Sequence, residues 1–312
     1  MIEYNIGVDV SKDWLDVHRL PDGATRRFPN TKAGLRALIA WLLKQPVARI
    51  AFEPTGPYHR ALERALADAG LPLVKVNPRQ ARRFAEAIGK LAKTDRADAG
   101  LLAKMAALLK PDLRPVVSAT IAMLKELHLA RTALIKDRTA AKNRQKALTV
   151  PLLKRQAAQR LRHIEAQLAA VEKAIEELIL EDQNLAGRLA ILVSIPGISK
   201  LTAFALLIEM PELGTLTGKQ AASLAGLAPV TRQSGGWSGR AFIRGGRANL
   251  RNALYMPALV AARFNPDLKT TYDKLLAAGK PAKVALTALM RRLLVLANAL
   301  LRDGRKWAPA MA

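Results

Sequence analysis

Apolar positions in the first hundred residues recur with a period of two in short runs and with helical spacing between them. The short runs predict strands at residues 4–10, 15–20, 48–53 and 71–76, with 26–29 as a candidate third early strand. Helical spacing follows at 35–43 and 59–69, and a basic helix begins at Asn77-Pro78. The order ββαβαβα predicts an α/β sheet whose early strands are antiparallel.

The rest of the chain has the pattern of an all-α protein. Residues 118–148 predict one long helix, and Pro151 precedes a second helix whose apolar residues alternate in spacings of three and four: Leu161, Ile164, Leu168, Val171, Ile175 and Leu178. This heptad seam predicts a coiled-coil-like hairpin or a subunit contact, and an amphipathic helix packed on its own domain explains it equally well. Further helices are expected at 221–227, 250–262 and 282–301. The predicted domains are 1–112 (α/β), 113–185 (basic, helical) and 186–312 (mainly helical).

The net charge of +25 and a pI near 10.9 indicate a polyanionic partner, for which nucleic acid is the usual candidate. Between Arg131 and Arg160 there are nine basic residues and a single acid, Asp137. This imbalance favours phosphate contacts over a merely solvated helix face. The residues expected to make them are Arg138, Lys142 and Arg144.

Cysteine is absent, which excludes disulfides, thiolate metal sites and a cysteine nucleophile. The chain has neither a signal-peptide pattern at its start nor a run of eighteen uncharged apolar residues. We therefore expect a cytoplasmic, nucleoid-associated protein with no membrane partner.

Four carboxylates occur where a fold of this class can bring them together. Asp9 and Glu53 end predicted strands, and Asp95 and Asp98 share the first turn of a helix that Thr94 can cap. Singly, each acid is explained by a solvated strand end or by the helix dipole. Together they repel one another unless cations bind. Two Mg²⁺ ions held by carboxylates would form a clamp for phosphoryl transfer.

A second candidate site lies in residues 231–251, which are rich in glycine and contain no acid. Because glycine disfavours a regular helix, the window predicts a flexible loop that grips phosphates. Its basic residues are Arg232, Arg240, Arg244, Arg247 and Arg251. Ser234, followed by Gly235, is the candidate nucleophile and Ser238 its competitor, although a Ser-Gly pair in isolation is usually a turn. The apolar Pro-Gly turn at 194–200 resembles a helix-hairpin-helix unit, or is an ordinary interhelical turn.

Four blocks of the chain, in order, resemble the signature of the DEDD transposases, the insertion-sequence one-hundred-and-ten family. They are Gly7-Val8-Asp9-Val10, Glu53-Pro54-Thr55-Gly56, Val76-Asn77-Pro78 and Thr94-Asp95-Arg96-Ala97-Asp98. The resemblance implies a ribonuclease-H-like, RuvC-like fold for the first domain. Ser234-Gly235 and the block from Leu250 to Ala258 are similar to the C-terminal domain of the same family, where the matching serine forms a phosphoserine link to DNA. Members of this family are guided by a structured RNA.

The resulting hypothesis is a DNA transposase or recombinase with a split active site. Asp9, Glu53, Asp95 and Asp98 would hold Mg²⁺, and Ser234 would attack the scissile phosphate. The expected partners are DNA (element ends or junction, and target), a structured guide RNA and further copies of the chain, as a homodimer or tetramer that completes the site between subunits. The alternatives are a hydrolytic, resolvase-like nuclease that uses only the acids, and a non-catalytic nucleic-acid-binding scaffold.

Overall fold

The computed structural model describes residues 3–89, 95–113 and 118–308, without the side chains of residues 95–97 and Arg240. The chain divides into two compact units, Met1–Val117 and Ser118–Ala312. The first unit is α/β, and the second is mainly helical with one β-hairpin. The mixed fold class predicted from the apolar pattern is therefore confirmed at this level.

The first unit is built on a five-stranded mixed sheet with strand order β3-β2-β1-β4-β5. β1 pairs antiparallel with β2 and parallel with β4. Its strands are β1 (Tyr4–Val10), β2 (Trp14–Leu20), β3 (Thr25–Pro29), β4 (Val47–Phe52) and β5 (Leu73–Lys75). Its helices are α1 (Lys32–Leu42), α2 (His59–Asp68), α3 (Pro78–Ala87) and α4 (Asp95–Leu109). The candidate third strand is present, and Thr31 caps α1 by accepting a hydrogen bond from the Gly34 amide.

The two faces of this sheet have different cores because alternate residues of each strand point to opposite sides. Ile6, Val8 and Phe52 face one side and join the core formed with α1 and α2. Ala51 and Val74 face the other side, where the buried residues of α4 cover them; these are Leu102, Met105 and Ala106. The central strand β1 is thus buried on both faces, and its polar residues lie beneath α4.

Gly7 is the point at which α4 crosses β1. A Cβ at this position would lie 1.9 Å from the carbonyl oxygen of Ala99 and 2.4 Å from the amide nitrogen of Ala103. At the far end of the helix, Arg49 near the start of β4 donates to the Pro111 carbonyl at 3.1 Å. The N-terminus of α4 therefore lies towards the carboxyl ends of β1 and β4. The predicted Thr94 cap of this helix lies outside the described residues.

The second unit contains a long helical hairpin, a helical core and a two-stranded sheet. Its helices are α5 (Ala119–Lys146), α6 (Pro151–Glu181), α7 (Gln183–Val193), α8 (Lys200–Glu209), α9 (Gly218–Leu224), α10 (Ala248–Phe264), α11 (Pro266–Ala277) and α12 (Ala282–Arg302). Its strands are β6 (Pro229–Ser234) and β7 (Trp237–Ile243). Ser118 caps α5 through the amide of Ile121, and Pro151 occupies the first turn of α6.

The predicted heptad seam on α6 packs within the chain, against α5. Leu161, Ile164 and Leu168 share a buried cluster with Ala141, and Arg131 of α5 pairs with Glu172 of α6 at 2.8 Å. Farther along α6, Ile175 and Ile179 join the main core of the second unit. The helices predicted as a separate middle domain are therefore part of one unit that begins at Ser118.

One described helix, α12, is long and apolar enough to cross a membrane by length and composition alone. Half of its apolar window is buried inside the protein. Leu289, Leu293 and Ala297 are fully buried, and the Asn298 side chain accepts from the Gly214 amide at 2.8 Å and donates to the Leu216 carbonyl at 2.7 Å. These contacts identify α12 as a core helix of the second unit.

We predict that Gly7→Ala lowers the free energy of unfolding of the first unit by about 2 kcal/mol or more, because the new methyl group meets backbone atoms that cannot move aside. The matched control is Gly100→Ala in the same helix–strand interface, where a Cβ has its nearest contact at 3.8 Å. This control is expected to be neutral or to gain about 0.5–1 kcal/mol of helix propensity. Calorimetric melts of both variants test the pair, and equal stability of the two would contradict the close helix crossing.

Candidate active site

The carboxyl edge of the sheet brings two of the predicted acids side by side. Gly7 pairs with Ala51 and Val8 with Phe52 in the parallel register of β1 and β4. Asp9 is the next residue of β1, and Glu53 directly follows the end of β4; each is partly buried. Ligands of open α/β sheets bind at this edge. By alternation, Asp9 is on the same face as Gly7, and Glu53 on the same face as Ala51, which is the face covered by α4.

The first turn of α4 adds the aspartate pair to this edge. Asp98 is partly buried and directly precedes Ala99, whose backbone lies over Gly7. Asp95 is the first residue of α4, and its side chain lies outside the described set. The direction of α4 therefore places Asp98 at the same end of the sheet as Asp9 and Glu53.

A fifth acid, Asp16, lies next to Asp9 and was not singled out from the sequence. Asp9 pairs directly with Asp16 across β1 and β2, so the two side chains share the α4 face. Asp16 is 7% exposed, and Arg27 of β3 donates to both its carboxylate oxygens at 2.8 Å. This bidentate pair offsets the charge of Asp16. Polar residues at alternate positions of β2 (Asp16 and His18) were the signal that could have revealed it.

The donor chemistry of this edge suits a hard cation. Asp9, Glu53, Asp95 and Asp98 offer only carboxylate oxygens, which Mg²⁺ prefers. Among the side chains that the structure describes, no three His, Asp or Glu residues are arranged to hold a metal ion. Asp9, Glu53 and Asp98 therefore do not form such a group by themselves, and the four-acid metal site stays a prediction. The close approach of α4 at Gly7 is the feature that brings the first turn of the helix to this edge.

The glycine- and arginine-rich window is a β-hairpin, so the prediction of a flexible loop is wrong there. β6 and β7 are antiparallel, Ser234 pairs with Trp237, and Gly235 and Gly236 form the two-residue turn. Gly235 has a φ of +54°, which L-residues adopt only at a cost. A two-residue glycine turn is a standard hairpin connection, and the alternation of residues beside it outweighs the weak strand propensity of glycine.

Ser234 and its competitor Ser238 lie on opposite faces of this hairpin. Directly paired residues share a face, so Ser234 lies with Trp237, and Arg232 lies with Gly239. On the other face, the Gln233 amide donates to the Ser238 hydroxyl at 3.5 Å. Every residue of β6 is exposed. Ser234 is thus accessible at the hairpin tip, and Arg232 is the basic residue of its face with a described side chain.

Sequence comparisons agree with this architecture. A DEDD transposase model of the IS110 type matches residues 6–150, and the model for the transposase IS116/IS110/IS902 family matches residues 189–273. The pilin gene-inverting protein of Moraxella bovis is 31% identical over 324 aligned positions that cover 96% of each protein, and that of Moraxella lacunata matches equally. An uncharacterized 43.6 kDa protein of insertion element IS110 from Streptomyces coelicolor is 36% identical over 144 residues, 45% of this chain and 34% of that protein.

The chain belongs to the IS110 family of transposases. It is accordingly an enzyme of DNA transposition and recombination, and DNA is its substrate. The two matched segments correspond to the two candidate sites, because the first contains the acids of the sheet edge and the second contains the hairpin.

Two of the five arginines in the 231–251 segment of this transposase hold the base of the hairpin. Arg247 forms an ion pair with Glu212 and donates to the Glu209 carbonyl at 2.6 Å. Arg251 donates to the carbonyls of Ala225, at 3.1 Å, and Gly245. Both guanidinium groups therefore bind protein groups that fix the strands to the helical core.

The remaining predicted arginines lie nearer the free part of the hairpin. Arg232 is exposed, and its guanidinium carbon lies 4.7 Å above the centre of the Phe242 ring. Arg244 is exposed just beyond β7, and the side chain of Arg240 lies outside the described set. Arg232 and Arg244 are thus more exposed than Arg247 and Arg251.

The basic residues predicted on the long helices have unequal surroundings. Lys142 lies 3.6 Å from Glu165 in an exposed pair, which contributes little. Arg144 lines a cavity of about 220 Å³ together with Arg160 and His163. Arg138 is partly buried on α5. Of these three basic residues, Arg144 is the one that lines a cavity together with another arginine, Arg160.

Two histidines have lowered pKa values, and neither of them belongs to the strands of the hairpin. Burial lowers the pKa of His128, partly offset by Glu209. Burial and the nearby Lys75 lower the pKa of His59, partly offset by Glu63. Both are neutral near pH 7, and the hairpin, residues 229–243, contains neither histidine nor acid.

The apolar turn between α7 and α8 is packed against α10. Ile195 and Ile198 are buried. Gly197 has a φ of +100°, and a Cβ there would lie 2.9 Å from the Pro257 carbonyl oxygen. These contacts support the alternative of an ordinary interhelical turn that serves the core.

We predict that Arg247→Ala lowers the free energy of unfolding of the second unit by about 1–2 kcal/mol, because Glu212 and the Glu209 carbonyl lose their partner in a partly solvated site. Arg244→Ala, an exposed change in the same segment, should stay within about 0.5 kcal/mol of the unsubstituted protein. Calorimetry measures both. An unchanged free energy of unfolding for Arg247→Ala would mean that the contacts of Arg247 with Glu212 and the Glu209 carbonyl do not stabilise the second unit.

Proposed function

We propose that this transposase cuts and rejoins DNA through a covalent Ser234–DNA intermediate, with Mg²⁺ bound by Asp9, Glu53, Asp95 and Asp98. The observation that carries the proposal is the presentation of Ser234 at an exposed hairpin tip, on the same face as Arg232. A serine at such a position can reach a backbone phosphate of bound DNA. The acids of the sheet edge supply the other half of the chemistry.

In the cutting step the Ser234 Oγ forms a bond to phosphorus, and the bond from phosphorus to one deoxyribose oxygen breaks. The proton of the serine hydroxyl passes to a base, and the freed deoxyribose oxygen gains a proton. The energy of the phosphodiester is kept in the serine ester, so the reverse reaction with a new DNA hydroxyl rejoins the strands without a further energy source. Arg232, Arg240 and Arg244 would neutralise the phosphate oxygens.

Bound Mg²⁺ would supply Lewis-acid stabilisation of charge on the reacting phosphate. The chain's own contribution is to gather the carboxylates. β1 and β4 hold Asp9 and Glu53 in register, and Gly7 lets α4 approach closely enough to bring its aspartates to the same edge. Asp16, already paired with Arg27, adds little further negative charge.

The name of the pilin gene-inverting relatives suggests that this chain also rearranges DNA, acting at the element ends or junction and at a target. A structured guide RNA would supply sequence specificity, and Arg138, Lys142 and Arg144 of α5 are the candidate contacts for it. The acids and Ser234 belong to different units of the chain. A homodimer or tetramer that completes the site between copies is part of the proposal.

The serine assignment predicts an SDS-stable protein–DNA adduct in cells that carry the gene with its native flanking DNA. Ser234→Ala should abolish the adduct and recombination, because no hydroxyl remains to attack phosphorus. Ser238→Ala, on the opposite face of the hairpin, is the matched control and should retain both. Magnesium-dependent cutting without any adduct would favour the hydrolytic nuclease, and full recombination by Ser234→Ala would refute the assignment.

The metal assignment predicts that Mg²⁺ raises the melting temperature of the unsubstituted protein, since binding at ten times the dissociation constant stabilises by about 1.4 kcal/mol. Asp9→Asn should lose the increment from Mg²⁺, because it removes one carboxylate ligand. Asp22→Asn is the control, because Asp22 pairs with Arg19 on the surface at 2.6 Å. An unchanged Mg²⁺ increment in Asp9→Asn would exclude Asp9 as a ligand.

A further inference from the structure

Trp237 is a large aromatic side chain left in solvent beside the proposed nucleophile. It is 60% exposed, and it is the residue of β7 that pairs directly with Ser234. β6 is exposed along its whole length, so no core packs against this tip. Keeping an indole exposed forgoes the stabilisation that its burial would give. The position of Trp237 therefore calls for an explanation outside folding.

The backbone of Gly239 is the surface of β7 on which the Trp237 indole packs. Its backbone does not have the positive φ that favours glycine elsewhere in the hairpin. A Cβ at Gly239 would nevertheless lie 2.4 Å from Cη2 of Trp237 and 2.9 Å from Cζ2. The missing side chain is what allows the six-membered part of the indole to rest on β7. The ring is thus held against the strand while most of the side chain stays accessible.

The surroundings of Trp237 favour nucleic acid over another protein as its partner. Residues 229–251 contain five arginines and no acid. Arg232 shares the Trp237 face through its pairing with Gly239 and lies on the Phe242 ring at 4.7 Å. An exposed aromatic ring among guanidinium groups is the combination that binds single-stranded nucleic acid, by base stacking and phosphate contact.

We propose that Trp237 stacks on an unpaired DNA base next to the phosphate that Ser234 attacks. The proposal rests on the assigned role of Ser234, because the two side chains share one face at the hairpin tip. A base inside a duplex has both faces covered by its neighbours, so Trp237 can bind only where the stack has opened. Trp237 is then a positioning residue that holds melted DNA at the cutting point.

The experiment measures binding of a 20-nucleotide oligothymidylate to the full-length, nuclease-treated protein by anisotropy and tryptophan emission, in about 0.3 M salt to suppress phosphate contacts. Unsubstituted protein should bind with quenching of its tryptophan emission. Trp237→Leu should lose the Trp237 share of the quenching and bind about 5- to 150-fold more weakly, the range for one stacked base. Trp237→Phe should bind better than Trp237→Leu, because a phenyl ring still stacks.

Two further variants keep the result interpretable. Phe264→Leu removes another exposed aromatic ring, 70% exposed at the end of α10, and should leave binding and quenching unchanged. Gly239→Val keeps Trp237 but fills the space in which its ring packs on β7. This variant should lower the affinity for the oligothymidylate, as Trp237→Leu does. Stacking and quenching do not require attack by Ser234, so a failure of the serine chemistry is seen separately in the adduct assay.

Affinity within about twofold of the unsubstituted protein for Trp237→Leu, with its quenching retained, would overturn the proposal. A loss of self-association in light scattering with unchanged DNA binding would also overturn it and assign Trp237 to a protein contact. Quenching by an oligouridylate of the same length, with none by the oligothymidylate, would overturn the choice of DNA as the partner.

Discussion

The contact between the backbone of α4 and Gly7 of β1 is the constraint on which the first unit depends. The helix lies so close to the strand that a single methyl group would overlap the Ala99 carbonyl. A side chain at position 7 would hold the helix away from the strand, so the glycine permits the close packing of α4 on the sheet. Because α4 runs opposite to β1 and β4, its acidic turn lies at the edge where both strands end. The position of the acidic turn at this edge thus follows from a close backbone contact in the middle of the sheet.

In the second unit, a helical core supports an exposed β-hairpin. Among the described contacts, those of Arg247 and Arg251 hold the base of the hairpin through carboxylate and carbonyl oxygens of the neighbouring helices and loops. The tip with Ser234 and Trp237 projects without a core of its own. A firmly held base and an uncovered tip suit a group that must meet a phosphate on a large substrate.

Much of this arrangement could be predicted from the chain, and the exceptions have physical causes. Asp9 and Glu53 were recognisable because a carboxylate that closes an apolar strand has few structural reasons to be there. The hairpin was misread as a flexible loop because glycine lowers strand propensity, whereas pairing across a two-residue turn restored the strands. Asp16 was missed because its significance comes from its neighbour across the sheet, Asp9, and from Arg27 on a third strand. Contacts of that kind depend on register, which a single sequence does not show.

Some arginines of residues 231–251 bind protein groups and others are exposed, and this difference affects how strongly the enzyme's affinity for DNA depends on ionic strength. Each phosphate neutralised by a protein cation releases counterions, and the slope of log affinity against log salt is about −0.9 per phosphate for duplex DNA. The guanidinium groups of Arg247 and Arg251 already bind carboxylate and carbonyl oxygens of the protein. A counterion count taken from composition would therefore overstate the electrostatic footprint of this segment. The positive charges of these two arginines stabilise the protein scaffold and contribute little to the attraction of DNA.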